Sequence, residues 1–168
     1  LQASAALTLG SWNDRRVDAD VAGPLSADGR VRGRLVVAAQ DKDSYLDRYH
    51  LKKGVFHGVV EADVTPDTTL SLGHTLQKNR PTGSMWGALP LLYSDGTPTN
   101  YDVSANTSAD WAYWNTDDTT VFTELVRDLG EDWKAKATAT HRVLESDGEM
   151  FYVYGVPDPD TGAGLGSW

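Results

Sequence analysis

Hydrophobicity in this chain repeats at every second residue almost from end to end, and that constrains the fold more than any other feature. In RRVDADV, Val17, Ala19 and Val21 alternate with Arg16, Asp18 and Asp20. In RVRGRLVVAAQD, Val31, Gly33, Leu35, Val37 and Ala39 take one face, and Arg30, Arg32, Arg34 and Gln40 the other. VFHGVVEADV sets Phe56, Val60 and Val64 against His57, Glu61 and Asp63, and TLSLGHTLQKN sets Leu70, Leu72 and Leu76 against Thr69, Ser71, Thr75 and Gln77. WKAKATATHR opposes Trp133, Ala135, Ala137 and Ala139 to Lys134, Lys136, Thr138, Thr140 and Arg142. Side chains along a strand point to alternate faces, so each stretch reads as a strand with one apolar and one polar side. LQASAALTLG begins the series. TTVFTELVRDL joins it as a less regular strand, because Gly130 argues against the weakly helical window Thr123 to Leu129. The expected fold class is all-β, an antiparallel up-and-down meander.

The connections narrow the choice. GPLSADGR, TPDTT and DLGEDW are tight turns, in which Pro, Asp and Gly supply preset or positive φ. Between them lie longer links, DKDSYLDRYHLKKG at 41–54 and a very long one from Asn79 to Asp118, with a third from Glu145 onward. Compact soluble domains rarely hold structureless loops of about 20 residues. Outer-membrane barrels do, with short turns on one rim and long loops on the other, and their strands of about 9–11 residues cross the bilayer at a tilt. The alternative is a soluble antiparallel sandwich, for instance a carbohydrate-binding module using loop tryptophans, which shows the same alternation.

Composition removes several classes. A formal charge of −9 leaves no basic face for nucleic acid. The absence of cysteine removes disulfides, thiol nucleophiles and zinc–thiolate sites. No apolar run approaches the roughly 20 residues of a transmembrane helix, which says nothing against membrane strands. Leu1 and Trp168 both fall inside patterned sequence, so a fragment is expected.

GSW at 10–12, D-V-x-G-P-L at 20–25, DGRVRGR at 28–34, QDKDSYLD at 40–47 and TPDTTLSLG at 65–73 occur in an order and spacing that resemble the first barrel strands of TonB-dependent siderophore receptors of the ferripyoverdine type. The resemblance covers residues 5–135. It departs from the family at Ala39 and Leu76, which precede Gln40 and Gln77 where the family usually has an aromatic before the first glutamine. It implies a barrel of about 22 strands, plugged by an N-terminal domain. Residues 1–168 would be the N-terminal part of that barrel domain, with the plug and the remaining strands outside the chain. The implied function is binding of ferric siderophore at the extracellular face and its import with energy from the TonB complex, in a multi-pass barrel of the Gram-negative outer membrane. The implied partners are the ferric siderophore, TonB through the plug, and outer-membrane lipid, with no nucleic acid. No enzymatic activity, cofactor or metal is expected, the ferric siderophore being the transported ligand.

The candidate ligand residues are aromatic. SADWAYW at 108–114 holds Trp111, Tyr113 and Trp114 in an otherwise polar, turn-forming stretch. Rigid amphipathic rings bind flat chelate faces and apolar methylenes with little loss of entropy. The resemblance points first to Trp86 and Trp114. Trp111, Tyr93, Tyr113 and Tyr101 are secondary, and Trp168 matches a pocket aromatic of the next outer loop. The competing role for any of these rings is to fold the loop on itself or to rest on the barrel rim. Trp133 reads as an interfacial girdle residue, and Tyr45 and Tyr49 as its counterparts at the opposite rim. His57, Glu61 and Asp63 share a strand face but lack a third convergent ligand of zinc type. Asp41 with Asp43, and Asp158 with Asp160, echo calcium loops without the full ligand set.

Overall fold

A computed structural model describes residues 1–167; Trp168, one of the candidate ligand residues, lies outside the described residues. Seven strands follow one another as β1 (Gln2–Leu9), β2 (Arg15–Pro24), β3 (Val31–Asp43), β4 (His50–Thr65), β5 (Thr68–Thr82), β6 (Tyr113–Gly130) and β7 (Trp133–Glu149). Each pairs antiparallel with the next, so the sheet order is the chain order. A two-stranded ribbon follows, β8 (Val153–Gly155) with β9 (Leu165–Ser167). TTVFTELVRDL lies within β6, as its alternation predicted.

Register carries the alternating apolar rows of the strands to one side. Val17 faces Ala39, Val37 faces Phe56, Phe56 faces Leu76, and Val60 faces Leu72. Leu70 faces Leu125, which faces Ala137. Val31, Leu35, Val37, Leu70, Leu72 and Ala135 therefore belong to one band. Nothing among the described residues covers it. Leu72 is 54% exposed and Val121 47%, and among the described residues Ala112 is the single buried hydrophobic one. A sandwich of this length would bury a second layer of aliphatic side chains against that face. The sandwich alternative is thereby overturned: this is one layer, apolar on the more exposed side.

The outward row of β4 stays uncharged from Gly54 to Val64. That span is about 33 Å along the strand at ~3.3 Å per residue, or roughly 25 Å of height at the tilt of an outer-membrane barrel. It matches the thickness of the apolar belt such barrels present to lipid. At the tight-turn end the belt finishes on exposed Trp133. At the other end Trp12 meets Tyr45 edge-on, with centroids 6.3 Å apart. Amphipathic rings at both limits suit a membrane–water interface.

The opposite face is polar and internally neutralised. Arg32 pairs with Glu61 and with Asp63 (2.8 Å), Arg34 with Asp20 (2.6 Å), Arg142 with Asp118 (2.5 Å) and Lys136 with Glu124 (2.7 Å). His57 Nδ1 lies 2.8 Å from Thr75 Oγ1. Glu61 and Asp63 are thus both tied to Arg32, while His57 is bound elsewhere, to Thr75. Arg30 departs from its expected place: it sits in the 25–30 turn, and its guanidinium donates to the Asp63 carbonyl (2.8 Å).

Strands outrun their apolar patterns. The 41–54 link shrinks to residues 44–49, the link from Asn79 to Asp118 shrinks to 83–112, and β7 continues to Glu149. Polar cross-strand partners extend the ladder there, including His50 with Asp43 (2.8 Å) and Asn79 Nδ2 with Thr116 Oγ1 (2.9 Å). Such pairs stabilise a sheet without any hydrophobic signature.

One position on the polar face has no room for a side chain. Gly73 faces Phe122 across the ladder, and the Phe122 ring lies over it. A methyl group on Gly73 would overlap that ring. Gly73→Ala is expected to destabilise the full-length folded barrel by about 1–3 kcal/mol, read as a lower urea midpoint in refolding into vesicles. Phe122→Leu in the same background should recover part of the loss. An unchanged midpoint for Gly73→Ala would contradict the overlap.

Candidate functional site

The long-loop rim begins at Gly83, whose amide donates to the Ala112 carbonyl (2.8 Å) and closes the neck of the 83–112 loop. Asn106 holds that neck. Its side-chain amide donates to the carbonyls of Asp47 (2.7 Å) and Gly83 (2.9 Å), while its oxygen accepts from the Ser108 amide (2.8 Å). Arg48 adds an ion pair to Asp110 (3.0 Å) and a bond to the Asn106 carbonyl (3.3 Å). One loop is thereby fastened to the 44–49 link beside it. Further out, residues 91–99 fold back as a small hairpin through Tyr93 N to Thr97 O (2.8 Å) and Thr99 N to Leu91 O (3.0 Å). The long loop is built structure, which explains how a compact rim holds thirty residues without strands.

The loop tips set their own turns. Asp95 accepts from the Thr97 hydroxyl (2.7 Å) and amide (2.9 Å), which hold its carboxyl below the usual carboxylate range. Asp158 accepts from the Thr161 hydroxyl (2.8 Å) and from the amides of Thr161 and Asp160, with the same consequence. Asp158 and Asp160 therefore form a turn. Asp41 and Asp43 both approach His50, at 3.3 and 2.8 Å.

The aromatic candidates divide into groups. Trp86 pairs edge-on with Tyr152 (centroids 5.7 Å apart), and Tyr152 stacks on Tyr154 at 6.2 Å with planes 20° apart. Trp111 meets Phe151 edge-on at 6.0 Å. The segment after β7 thus supplies ring partners to both Trp86 and Trp111, which are 25 residues apart in sequence. Gly87 makes room for it. Its φ is +108°, and a Cβ there would come within 2.7 Å of the Tyr152 ring.

Trp114 lies on β6 and not in the loop where the sequence suggested it. It occupies the polar-face row with Thr116 and Asp118, and its indole nitrogen donates to Ser146 Oγ on β7 (2.7 Å). That bond fixes the ring at the mouth of the sheet's polar side while leaving it 48% exposed. Tyr113, one residue earlier, takes the opposite face. Tyr93 sits in the 91–99 hairpin and Tyr101 just beyond it, and among the described residues neither stacks on another ring.

Phe151, Tyr152 and Tyr154 went unrecognised in the sequence. Their signal was FYVY, three aromatics in four residues directly after a strand. It reads as an ordinary strand end until the structure sets it against Trp86 and Trp111.

A scan against protein-family models matches none. Among curated proteins, the chain is 38% identical over 159 residues to the ferripyoverdine receptor of Pseudomonas aeruginosa, covering 94% of this chain and 20% of that protein. It is 38% identical over 144 residues to the ferric-pyoverdine 358 receptor of Pseudomonas putida, covering 86% of this chain and 17% of that receptor. The first match runs beyond residues 5–135, on which the sequence motifs rest. Among solved structures, the pyoverdine outer membrane receptor FpvA from Pseudomonas aeruginosa, bound to pyoverdine, superposes with a TM-score of 0.91 at 36% identity, over 99% of this chain and 24% of that one. The chain spans about a fifth of the length of the curated relatives it matches. By sequence and by fold, the chain is similar to a stretch of the β-barrel of the ferripyoverdine-type siderophore receptors.

Proposed function

We propose that these residues form the first part of the barrel domain of an outer-membrane receptor that binds a ferric siderophore at its long-loop rim and imports it. The plug, the remaining strands and the contact with TonB, which supplies the energy, belong to segments outside residues 1–168. The observation that carries this reading is the pairing of a lipid-facing apolar band with an ordered aromatic rim on the same seven strands. The relatives' names, ferripyoverdine and ferric-pyoverdine receptors, agree with it.

Within the rim, we assign first contact with the ligand to Trp86 and Trp114, with Trp111 beside them. The support is physical. Trp114 is pinned through its nitrogen and keeps a ring edge open, so it presents a rigid surface at little entropic cost. Trp86 is held edge-on by Tyr152. Tyr93 remains assigned as a secondary contact and Trp168, outside the described residues, completes the proposed set, whereas Tyr113, on the outward face of β6, is assigned to the rim and not to the ligand.

The test uses the full-length gene that contains this segment, expressed under iron limitation in its deletion background. Recovery in the outer-membrane fraction, together with restored uptake of iron-labelled siderophore, is the expected outcome. Recovery as a native soluble protein, or uptake unaffected by the deletion, would overturn the reading.

A further inference from the structure

Two histidines stand inside the apolar band. Register sets His74 of β5 opposite Val121 of β6, and Val121 opposite His141 of β7, so all three share the outward face. His74 lies between Leu72 and Leu76 in its outward row, and His141 between Ala139 and Val143. On β6 the uncharged stretch of that row runs Thr119, Val121, Thr123 and Leu125, bounded by Asp117 and Arg127. Both histidines therefore fall at the depth of hydrocarbon and not of headgroups. Among the described residues neither imidazole makes a hydrogen bond or an ion pair. Phe56 packs against the His74 ring with centroids 5.8 Å apart, which orients the ring without satisfying its nitrogens.

Such groups are costly against lipid. A hydrocarbon layer holds no water to bond them, and ionisable side chains at that depth almost always face other protein. These two point away from the wall that carries them. Protein contacts inside membranes favour small residues, with Ser, Thr and His bonding across the contact. The strands around Val121 present that set, with Thr119 and Thr123 on β6 and Ala137, Ala139 and His141 on β7. On β3 and β4 the same band is built from larger side chains, among them Leu35, Val37, Phe56 and Val60.

We infer that the outward face of β5–β7 is a docking surface for a second copy of the receptor, with a two-fold axis along the membrane normal through Val121. Polar complementarity under that symmetry selects the partner. Two copies inserted the same way round can share a two-fold only along the normal, and features on either side of the axis then exchange places. With strands about 4.8 Å apart and tilted near 45°, each histidine comes to lie over β6 of the other copy, roughly 5 Å along the strand from Val121. Thr119 and Thr123 flank Val121 at about 7 Å along the same strand, one on either side. His74 thereby meets one of the two threonines of the facing copy and His141 meets the other, whichever way the strands lean. The alanines of β7 let the two walls approach. Three strands of a convex wall make a small contact, so the dimer dissociates in excess lipid and the rest of the band faces the bilayer. The inference rests on the outer-membrane reading above, and its test separates the two.

The full receptor, labelled with donor or acceptor dye, is reconstituted in phosphatidylcholine vesicles over a series of lipid dilutions, and energy transfer gives the dimer fraction. His74→Leu with His141→Leu should weaken self-association about ten-fold while ferric-siderophore binding is retained. His74→Gln with His141→Gln should keep most of it. In outer membranes, Val121→Cys in a receptor free of other cysteines should join to itself on mild oxidation. Leu35→Cys, on the same band three strands away, should not. Undiminished association of the double leucine variant, equal joining through Leu35→Cys, or joining of Val121→Cys only to a different protein would overturn the dimer. A wild-type receptor that stays monomeric yet binds ferric siderophore would also overturn it, and would leave the receptor reading standing.

Discussion

Trp86→Ala combined with Trp114→Ala in the full receptor is expected to weaken ferric-siderophore binding by at least a hundred-fold, with the fold intact. Buried aromatic anchors at recognition surfaces cost about 2 kcal/mol or more when truncated, and two of them compound. The two rings are held differently, which lets the single variants be told apart. Trp114→Phe keeps an aromatic face and loses only the bond to Ser146 Oγ, so it should lose much less than Trp114→Ala. Ser146→Ala frees the Trp114 indole without removing it and should fall between the two. Trp86→Ala removes the edge-on partner of Tyr152, so part of its effect will come through disorder of the FYVY segment. Fluorescence-quenching titration of the purified receptor measures each affinity. An unchanged dissociation constant for the double variant would refute the assignment of both rings.

Leu72→Arg is the second large effect expected, and it tests the membrane-facing band directly. Leu72 lies mid-strand on the outward face between Val60 and Thr123 and is 54% exposed. In water such a residue tolerates a charge, because an exposed surface substitution usually changes stability by less than about 0.5 kcal/mol. Against hydrocarbon, arginine near the midplane of a barrel costs about 2–4 kcal/mol. The full barrel refolded into phosphatidylcholine vesicles should show that loss as a lower urea midpoint. Thr138→Arg provides the contrast. It lies on the polar face, where Glu124 is already bonded to the Thr138 hydroxyl (3.3 Å), and it should refold nearly as the parent does. Equal stability of the two variants would mean that the band does not meet lipid.

Much of the fold was legible because β-structure with one apolar face writes itself as a period of two. Val17, Val37, Phe56, Leu72 and Ala137 could be assigned to one side without coordinates, and the tight turns at TPDTT and DLGEDW announced themselves by residue type. The strand ends were not legible. Beyond Ala39, Leu76 and Val121, alternation in hydropathy stops, yet pairing continues through His50 with Asp43 and through Lys78 and Arg80 with Asp117, whose stabilisation is electrostatic and depends on the partner strand. A link of thirty residues therefore read as one of forty.

The rim was legible in part. Clustered aromatics in a polar stretch marked Trp111 and Trp114, and the family motifs pointed to Trp86. Asn106 gave no warning, since an asparagine in a loop is unremarkable until its amide is seen to bridge Asp47 and Gly83. The aromatics at 151–154 were hidden for the same reason: their meaning lies in what they touch.

Local chemistry along the chain alone determined that these residues form strands, which face of each is apolar, and where the tight turns fall. All three follow from side-chain alternation and backbone preference within a few residues. Tertiary structure decided that the apolar faces join into one uncovered band, that Trp114 belongs to a strand on the polar side, and that Phe151 and Tyr152 meet Trp111 and Trp86. Each of these depends on register between segments distant in sequence, and register is set by the cross-strand partners of the whole sheet.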